Sequence, residues 1–487
     1  MVETSLPSRN ETFQVLSIGM VEVETECLVR RATMGATEEL AQFAFDLGFD
    51  DVPEEAFKWA KDSILDCIGV ALAGTKKDVG RIMTEYVREA GGAPESGVLA
   101  GGFKTSAANA ALANGTLAHA LDYDDYSLPN WMGHPTVPIL PAVLALGERK
   151  KISGKEVLLA YVIGYEVGGR VGAGVGRGHY ECGWHATATL GTMGAAAASA
   201  RILKLDTVRT QMALGIASSE ASGLRQNFGT MTKPLHAGLA ARNGVIAASL
   251  AAKGFTADGC SLEGPIGFSK VLTAGGYDLK KMTAGLGKKF LIVEHGISIK
   301  PYPCCADGHR CIDAMLHLVF KHDLRPQDVK SIECRTSDMV PRIMIRERPQ
   351  TGDEAKFSMP FCMAIALTDR NLGLRQFTTE RVQDPRVQEL FPLTSWVHPP
   401  EATGYEGMER YPERVTVTLR DGTVYSHEVS ESKGRPTNRL TESELTAKFR
   451  ECADGVILPE RIDRSIEMLH SLEKLGDISE LIDLLCG

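Results

Sequence analysis

Apolar residues recur at helical spacing through most of the first 290 positions. Over 54–73, Phe57, Ala60, Ile64, Ile68 and Ala71 fall on one face, Pro53 stands at the entrance and Gly74 follows the end, a pattern that predicts a helix. Similar segments at 105–121, 138–150, 154–169, 187–203, 207–220 and 234–253 are rich in Ala or Leu and short of β-branched alternation. They predict a helical domain. After about 290 the pattern changes. Residues 331–336 read as a strand, and Val415–Leu419 and Val424–Ser426 flank Asp421-Gly422, which signals a hairpin. Helical periods at 307–322 and 358–369 lie between them. Thr441 and Glu444 form a capping-box pattern, and 459–475 places Ile462, Ile466, Leu469 and Leu472 on one face. The expected architecture is mainly α. It has a polar extension over 1–34, a large all-helical domain over 35–290, a smaller α+β domain over 291–438 and a helical return over 439–487.

Length and charge narrow the function. A chain of 487 residues is too long for a single core. The net charge of −9 and the lack of a long basic run argue against nucleic acid, whose affinity comes largely from Lys and Arg neutralising phosphates. An anion can still bind wherever positive groups gather locally. Eleven cysteines without a C-x-x-C pair argue against a zinc ribbon or an iron–sulfur ligand set and fit reduced thiols in a cytoplasmic protein. The N-terminus carries Glu3, Glu11 and Glu22 without an apolar core, so no signal peptide is expected. The uncharged runs are Gly/Ala/Thr-rich over 182–200 and broken over 126–147 by Pro129, Pro135, Pro138 and Pro141. No membrane span is expected from either.

Four clusters carry chemistry. The first is His119-Ala-Leu-Asp122-Tyr123-Asp124-Asp125 followed by Gly133-His134-Pro135. Carboxylates beside imidazoles can make an acid/base pair; a metal site and a solvated acidic loop are the competing readings. In the second, glycines from Gly172 to Gly183 lead to Trp184-His185. Their spacing misses the dinucleotide fingerprint, and His185 opens an Ala-rich helix whose N-terminus favours an anion. In the third, Thr232 and Pro234 mark a helix start that puts Lys233 and His236 in the first turn. The dipole disfavours cations there unless an anion joins them, and Arg225 offers a bidentate clamp. The fourth is Lys300-Pro-Tyr302-Pro-Cys304-Cys305-Ala-Asp307-Gly-His309-Arg310, a rigid hinge that puts Lys300 or Arg310 near the site.

From about residue 36 to the C-terminus these motifs resemble the MmgE/PrpD family: HALDYDD with GHPTVPILPA, then GWHATATLGTMGAAAASARIL, GLRQNFGTMTKPLH and SIKPYPCCADGHRCIDA. The resemblance implies a helical domain with a smaller lid domain, a homodimer, and an enzyme that needs no metal or cofactor. Its substrate would be a small di- or tricarboxylate. The family includes 2-methylcitrate dehydratase, cis-aconitate decarboxylase and iminodisuccinate epimerase. Asp122, His134, His185 and Lys233 match its active-site positions. Tyr180 resembles a tyrosine expected near the epimerase site, and Arg225, His236, Lys300 and Tyr302 are expected to contact substrate. Where the decarboxylases look to have a tyrosine this chain has Phe361, which removes a proton donor. The expected order is therefore hydro-lyase, then epimerase, then decarboxylase, with a non-catalytic carboxylate-binding protein as the reading from another class.

Overall fold

The computed structural model describes residues 34–404, 407 and 410–487, so the expected extension over 1–34 lies, but for Met34, outside the described residues. The helices of the N-terminal part are α1 Ala36–Asp46, α2 Glu54–Gly74, α3 Asp78–Ala90, α4 Ala107–His119, α5 Thr136–Lys150, α6 Gly154–Glu181, α7 Ala186–Ile202, α8 Thr207–Glu220 and α9 Thr232–Ala252. Local chemistry sets several ends. Ser153 and Glu156 form a capping box on α6, and Asp206 caps α8 by accepting from the Arg209 N–H. Two short strands, β1 Ser96–Gly97 and β2 Lys104–Thr105, pair antiparallel within this part.

The second part contains α10 His309–His322, β3 Val329–Arg335, α11 Met359–Asp369, β4 Thr394–Val397, β5 Glu413–Leu419 and β6 Val424–Val429. Its sheet runs β4-β3-β5-β6, parallel between β3 and β4 and antiparallel elsewhere. Strand β4 was not legible in the sequence because only four residues pair and none of them is fully buried. The chain ends in α12 Glu442–Ala453, α13 Pro459–His470 and α14 Ser479–Cys486.

Among the described residues two large apolar cores result, beside a small cluster of Val70, Ala73, Leu121, Tyr123 and Cys452. One takes residues from α1 to Ile299 and, from the far end of the chain, Leu445 to Cys486; the other runs from Cys304 to Val417. The polypeptide crosses between them at Lys300–Pro303 and returns near Gly434, where the Ile299 N–H donates to the Gly434 carbonyl at 2.9 Å. Small residues let the helices of the first core approach closely. A Cβ on Gly238 of α9 would lie 2.3 Å from the Leu112 carbonyl oxygen of α4.

The glycine-rich stretch expected to follow a helix lies instead within α6, which continues to Glu181 past a non-helical Gly176. Gly168 and Gly172 serve packing, whereas a Cβ on Gly176, Gly178 or Gly183 would meet nothing within 4 Å. A Cβ on Gly172 would strike the Asn130 carbonyl oxygen at 2.1 Å, and one on Gly168 would strike the Trp131 ring at 2.3 Å. Among the described residues no helix is long and apolar enough to cross a membrane, and all described cysteines are free thiols.

Candidate active site

Helix α4 ends at His119, and the acidic loop after it turns sharply because Asp122 adopts a left-handed conformation (φ 54°), which Asp tolerates better than most residues. The loop returns to the start of α7 through Gly133, where any Cβ would come within 2.8 Å of the Thr187 backbone nitrogen. His134 is thereby seated, its N–H donating to Thr187 Oγ1 at 3.0 Å.

Asp124 is fully buried and receives two imidazoles. His119 Nδ1 lies 3.0 Å and His134 Nδ1 2.8 Å from its oxygens, and His134 Nδ1 is also 2.6 Å from the Asp125 carbonyl. With acceptors at Nδ1, the His119 ring donates there, and the same carboxylate orients His134 with its Nε2 toward Asp122. Burial alone would raise Asp124, but the two histidines outweigh it and hold the carboxyl well below its usual range. Burial lowers His119 to about 4, against the pull of Asp124, so that ring is neutral near pH 7. Its Nε2 is buried and has no hydrogen-bond partner.

Asp122 gathers the cations. Its Oδ1 lies 2.9 Å from Lys233 Nζ, 3.3 Å from Lys300 Nζ and 3.6 Å from His134 Nε2. Lys300 also donates to the Asp122 carbonyl at 2.7 Å. Burial would raise the Asp122 carboxyl, yet Lys233 and Lys300 hold it well below the ordinary value. Burial likewise works against charge on Lys300, and the carboxylates of Asp122 and Asp124 more than restore it. Asp122 keeps 23% and Lys233 16% of its side chain accessible, so the cluster opens toward solvent.

His185, the residue before α7, meets His236 of α9 with 3.0 Å between their Nδ1 atoms, one donating and the other accepting. Burial, then neighbouring positive charge, depresses His185 well below the usual imidazole value, and the same causes lower His236. The His185 and His119 rings stack at 5.9 Å, which joins this pair to the first cluster. The amino ends of α7 and α9 therefore face a group of neutral imidazoles and two ammonium groups, an arrangement suited to an anion.

Other expected residues stand apart. Arg225 lies over the Tyr180 ring at 3.8 Å and donates to the Tyr180 carbonyl at 2.9 Å. Phe228, half-exposed, connects this pair to the cluster: its ring is 5.9 Å from the Arg225 guanidinium, 5.3 Å from Lys233 Nζ and 4.9 Å from the His185 ring. Tyr302 turns away into the second core, where its hydroxyl donates to Asp313 at 2.6 Å. His309 lies edge-on to Tyr302, with Nε2 near the Cys304 carbonyl. Phe361 packs against Phe377 and Phe391 in that core.

The sequence reading did not assign His119, Asp124, Phe228 or Lys356. Lys356, from the second core, donates to the Leu121 carbonyl at 3.2 Å and pairs with Asp353 at 3.0 Å. For His119 and Asp124 the signal was present: a histidine in the last turn of an Ala-rich helix, five residues before a second acid. Lys356 carried no such signal because its partner lies more than 200 residues away.

His119, Asp122, Asp124 and His134 can also bring one ligand atom each within 4.8 Å of the others, a grouping that a divalent cation can use. Two facts oppose a cation here. Asp122 already carries two ammonium partners, and both Asp124 oxygens accept from imidazoles. With charges near balance, the open valences are those of Lys233, Lys300 and the imidazoles, which suit a carboxylate.

The class of protein is thus a two-core, mainly α fold with a cationic and imidazole-lined site where the cores meet. Sequence comparison supplies the particular family: residues 38–280 match the MmgE/PrpD N-terminal domain and 302–474 the MmgE/PrpD C-terminal domain, and the chain belongs to the MmgE/PrpD family. Among its relatives is the cis-aconitate decarboxylase of Mus musculus, 28% identical with 93% of each chain covered. That of Homo sapiens is 29% identical over 93% of this chain and 94% of the relative. That of Aspergillus terreus is 29% identical over 93% and 96% respectively.

Proposed function

We propose that the protein is a lyase acting on a small di- or tricarboxylate through a carbanion, or enediolate, beside a carboxylate. The observation that carries this reading is the convergence of Lys233 and Lys300 on Asp122 within reach of His134. Removing a proton or CO2 beside a carboxylate leaves negative charge on the adjacent carbon and the carboxylate oxygens. Fixed ammonium groups and helix-end N–H groups stabilise that charge without reorganising. In this role Lys233 and Lys300 hold the substrate carboxylate. His134 Nε2 takes or returns the proton, its orientation set by Asp124 and the Asp125 carbonyl. His185, relayed through His236, serves on the other side of the site.

The first reading of the net reaction is elimination of water, as in the 2-methylcitrate dehydratase that the motifs resemble. A second is favoured by the relatives named above, which are cis-aconitate decarboxylases over nearly the full chain. Phe361, which stands where the decarboxylases look to have a tyrosine and packs against Phe377, offers no phenolic proton and counts against that reading. Epimerisation requires a second proton donor across the site. Tyr180 was the candidate, and its ring face is taken by Arg225. Incubation with citrate, 2-methylcitrate, cis-aconitate, iminodisuccinate and a tartrate-like acid, followed by NMR, separates the three. An alkene with loss of water marks dehydration, released CO2 decarboxylation, and an inverted centre without mass change epimerisation. Folded protein that converts none of the five contradicts the lyase reading for these skeletons.

A further inference from the structure

Beneath Asp122 lies a buried ion pair that this mechanism does not use. Lys448 of α12 reaches Asp66 of α2 at 2.5 Å. The same ammonium donates to the Tyr123 carbonyl at 2.9 Å and to the Lys300 carbonyl at 2.8 Å, and lies 3.8 Å from the Tyr123 ring centre. An ammonium has three N–H donors. Here two of them find carbonyls on the acidic loop and on the crossing between the two cores, and the ammonium forms an ion pair with the carboxylate of a core helix. Lys448 and Asp66 are almost wholly inaccessible.

The two carbonyls are well placed to matter. One belongs to the residue after Asp122, the other to Lys300 itself, and Asp122 and Lys300 are the side chains that meet above them. Nearby, Tyr126 and Ser298 exchange backbone hydrogen bonds of 2.8 Å each, joining the same two segments. We infer that Lys448, fixed by Asp66, is a positioning residue. It sets the register between the acidic loop and the interdomain crossing, and so places Lys300 on Asp122. This rests on the reading of Asp122 and Lys300 as substrate-binding groups. It adds a control point on α12, 148 residues from Lys300 along the chain.

Removing Lys448 alone would strand a buried carboxylate, whereas replacing both charges by apolar groups of similar volume is often neutral for stability. The variant to make is therefore the double one, Asp66→Leu with Lys448→Met, in the full chain. Backbone hydrogen exchange at Tyr126 and Ser298 and steady-state turnover are then compared with wild type. The expected result is a folded protein whose Tyr126 and Ser298 amides exchange at least about tenfold faster, amides of α5 and α7 being unchanged, and whose kcat falls at least about tenfold. Asp66→Asn, which leaves Lys448 its two carbonyls but removes the carboxylate that fixes it, is expected to shift both readouts in the same direction as the double variant. Exchange and turnover at wild-type values in the double variant overturn the inference, as does faster exchange with unchanged turnover. Faster exchange throughout the protein overturns it too, since that is what a merely structural role gives. The exchange readout needs no substrate. It therefore decides the register even where wild type converts nothing in the panel, an outcome that counts against the lyase reading alone.

Discussion

At the scale of single residues, the account turns on Lys233. Its ammonium stands in the first turn of a helix and 2.9 Å from Asp122, a place where a cation is disfavoured until an anion arrives. Lys233→Ala should lower turnover by about 10²–10³-fold, the cost of losing one fixed charge-stabilising group. Its circular dichroism and melting temperature should stay near wild type; near-normal turnover would remove Lys233 from the mechanism. Tyr180→Phe is expected to keep turnover within about threefold, because a true proton donor contributes about 10²–10⁴-fold. A loss of that larger size would restore Tyr180 as the donor and favour epimerisation. Asp122, His134, His185 and Lys233 were legible in the sequence as candidates, since each sits beside a helix start, turn or acid run. It could not show that Asp124 serves two histidines at once, because that depends on the loop doubling back through Gly133. Nor could it show that Tyr302 faces Asp313: a tyrosine in a hinge motif has two sides, and only the packing of α10 decides between them.

At the scale of elements, periodicity located most helices to within a few residues, and the Asp-Gly turn located the β5–β6 hairpin. The failures have physical causes. The glycines expected to follow a helix are carried on in α6, where the low helix propensity of Gly168 and Gly172 is outweighed by close packing on Trp131 and Asn130. The same logic makes Gly238 a sensitive position. Gly238→Ala would push α9 from α4 at a backbone oxygen, and a loss of about 1–3 kcal/mol is expected, measured as a lower denaturant midpoint. A pH effect belongs to α6. Glu166, buried against Arg170 and accepting from the Ile292 N–H at 3.2 Å, is raised by burial to about 7. An acid with a raised folded-state value contributes stability at low pH and loses it as pH rises. The loss here runs from about 4.3, the unfolded value, through about 7. Glu166→Gln should therefore be more stable than wild type at pH 8, on the order of a few kcal/mol, with the difference vanishing near pH 4. Arg170 keeps the Ala284 and Lys289 carbonyls as acceptors. Equal melting temperatures for the two proteins from pH 4 to pH 8 would contradict this.

At the scale of the whole molecule, the site exists because two cores meet at one crossing. The first core is closed by helices from the end of the chain, and the return segment is fastened by Arg439, which pairs with Glu55 at 2.8 Å and Asp62 at 2.7 Å and lies over Trp59. The change of pattern near 290 and the capping box at Thr441 made this discontinuous plan legible. The long-range partners that complete the site, Lys356 and Lys448, were hidden because a lone lysine on a helix or loop reads as a solvated charge. The net acidity of the chain is no obstacle to binding an anion, since Lys233 and Lys300 stand together where the cores join. The central claim is that this junction holds a carbanion beside a substrate carboxylate. The measurement that tests it most directly is NMR in D2O of wild type and Lys233→Ala, each run to equilibrium with citrate, 2-methylcitrate and cis-aconitate. The account predicts solvent deuterium on the carbon next to a carboxylate with wild type and none with the variant over the same time. Conversion without deuterium at that carbon, or labelling by Lys233→Ala at the wild-type rate, would contradict it.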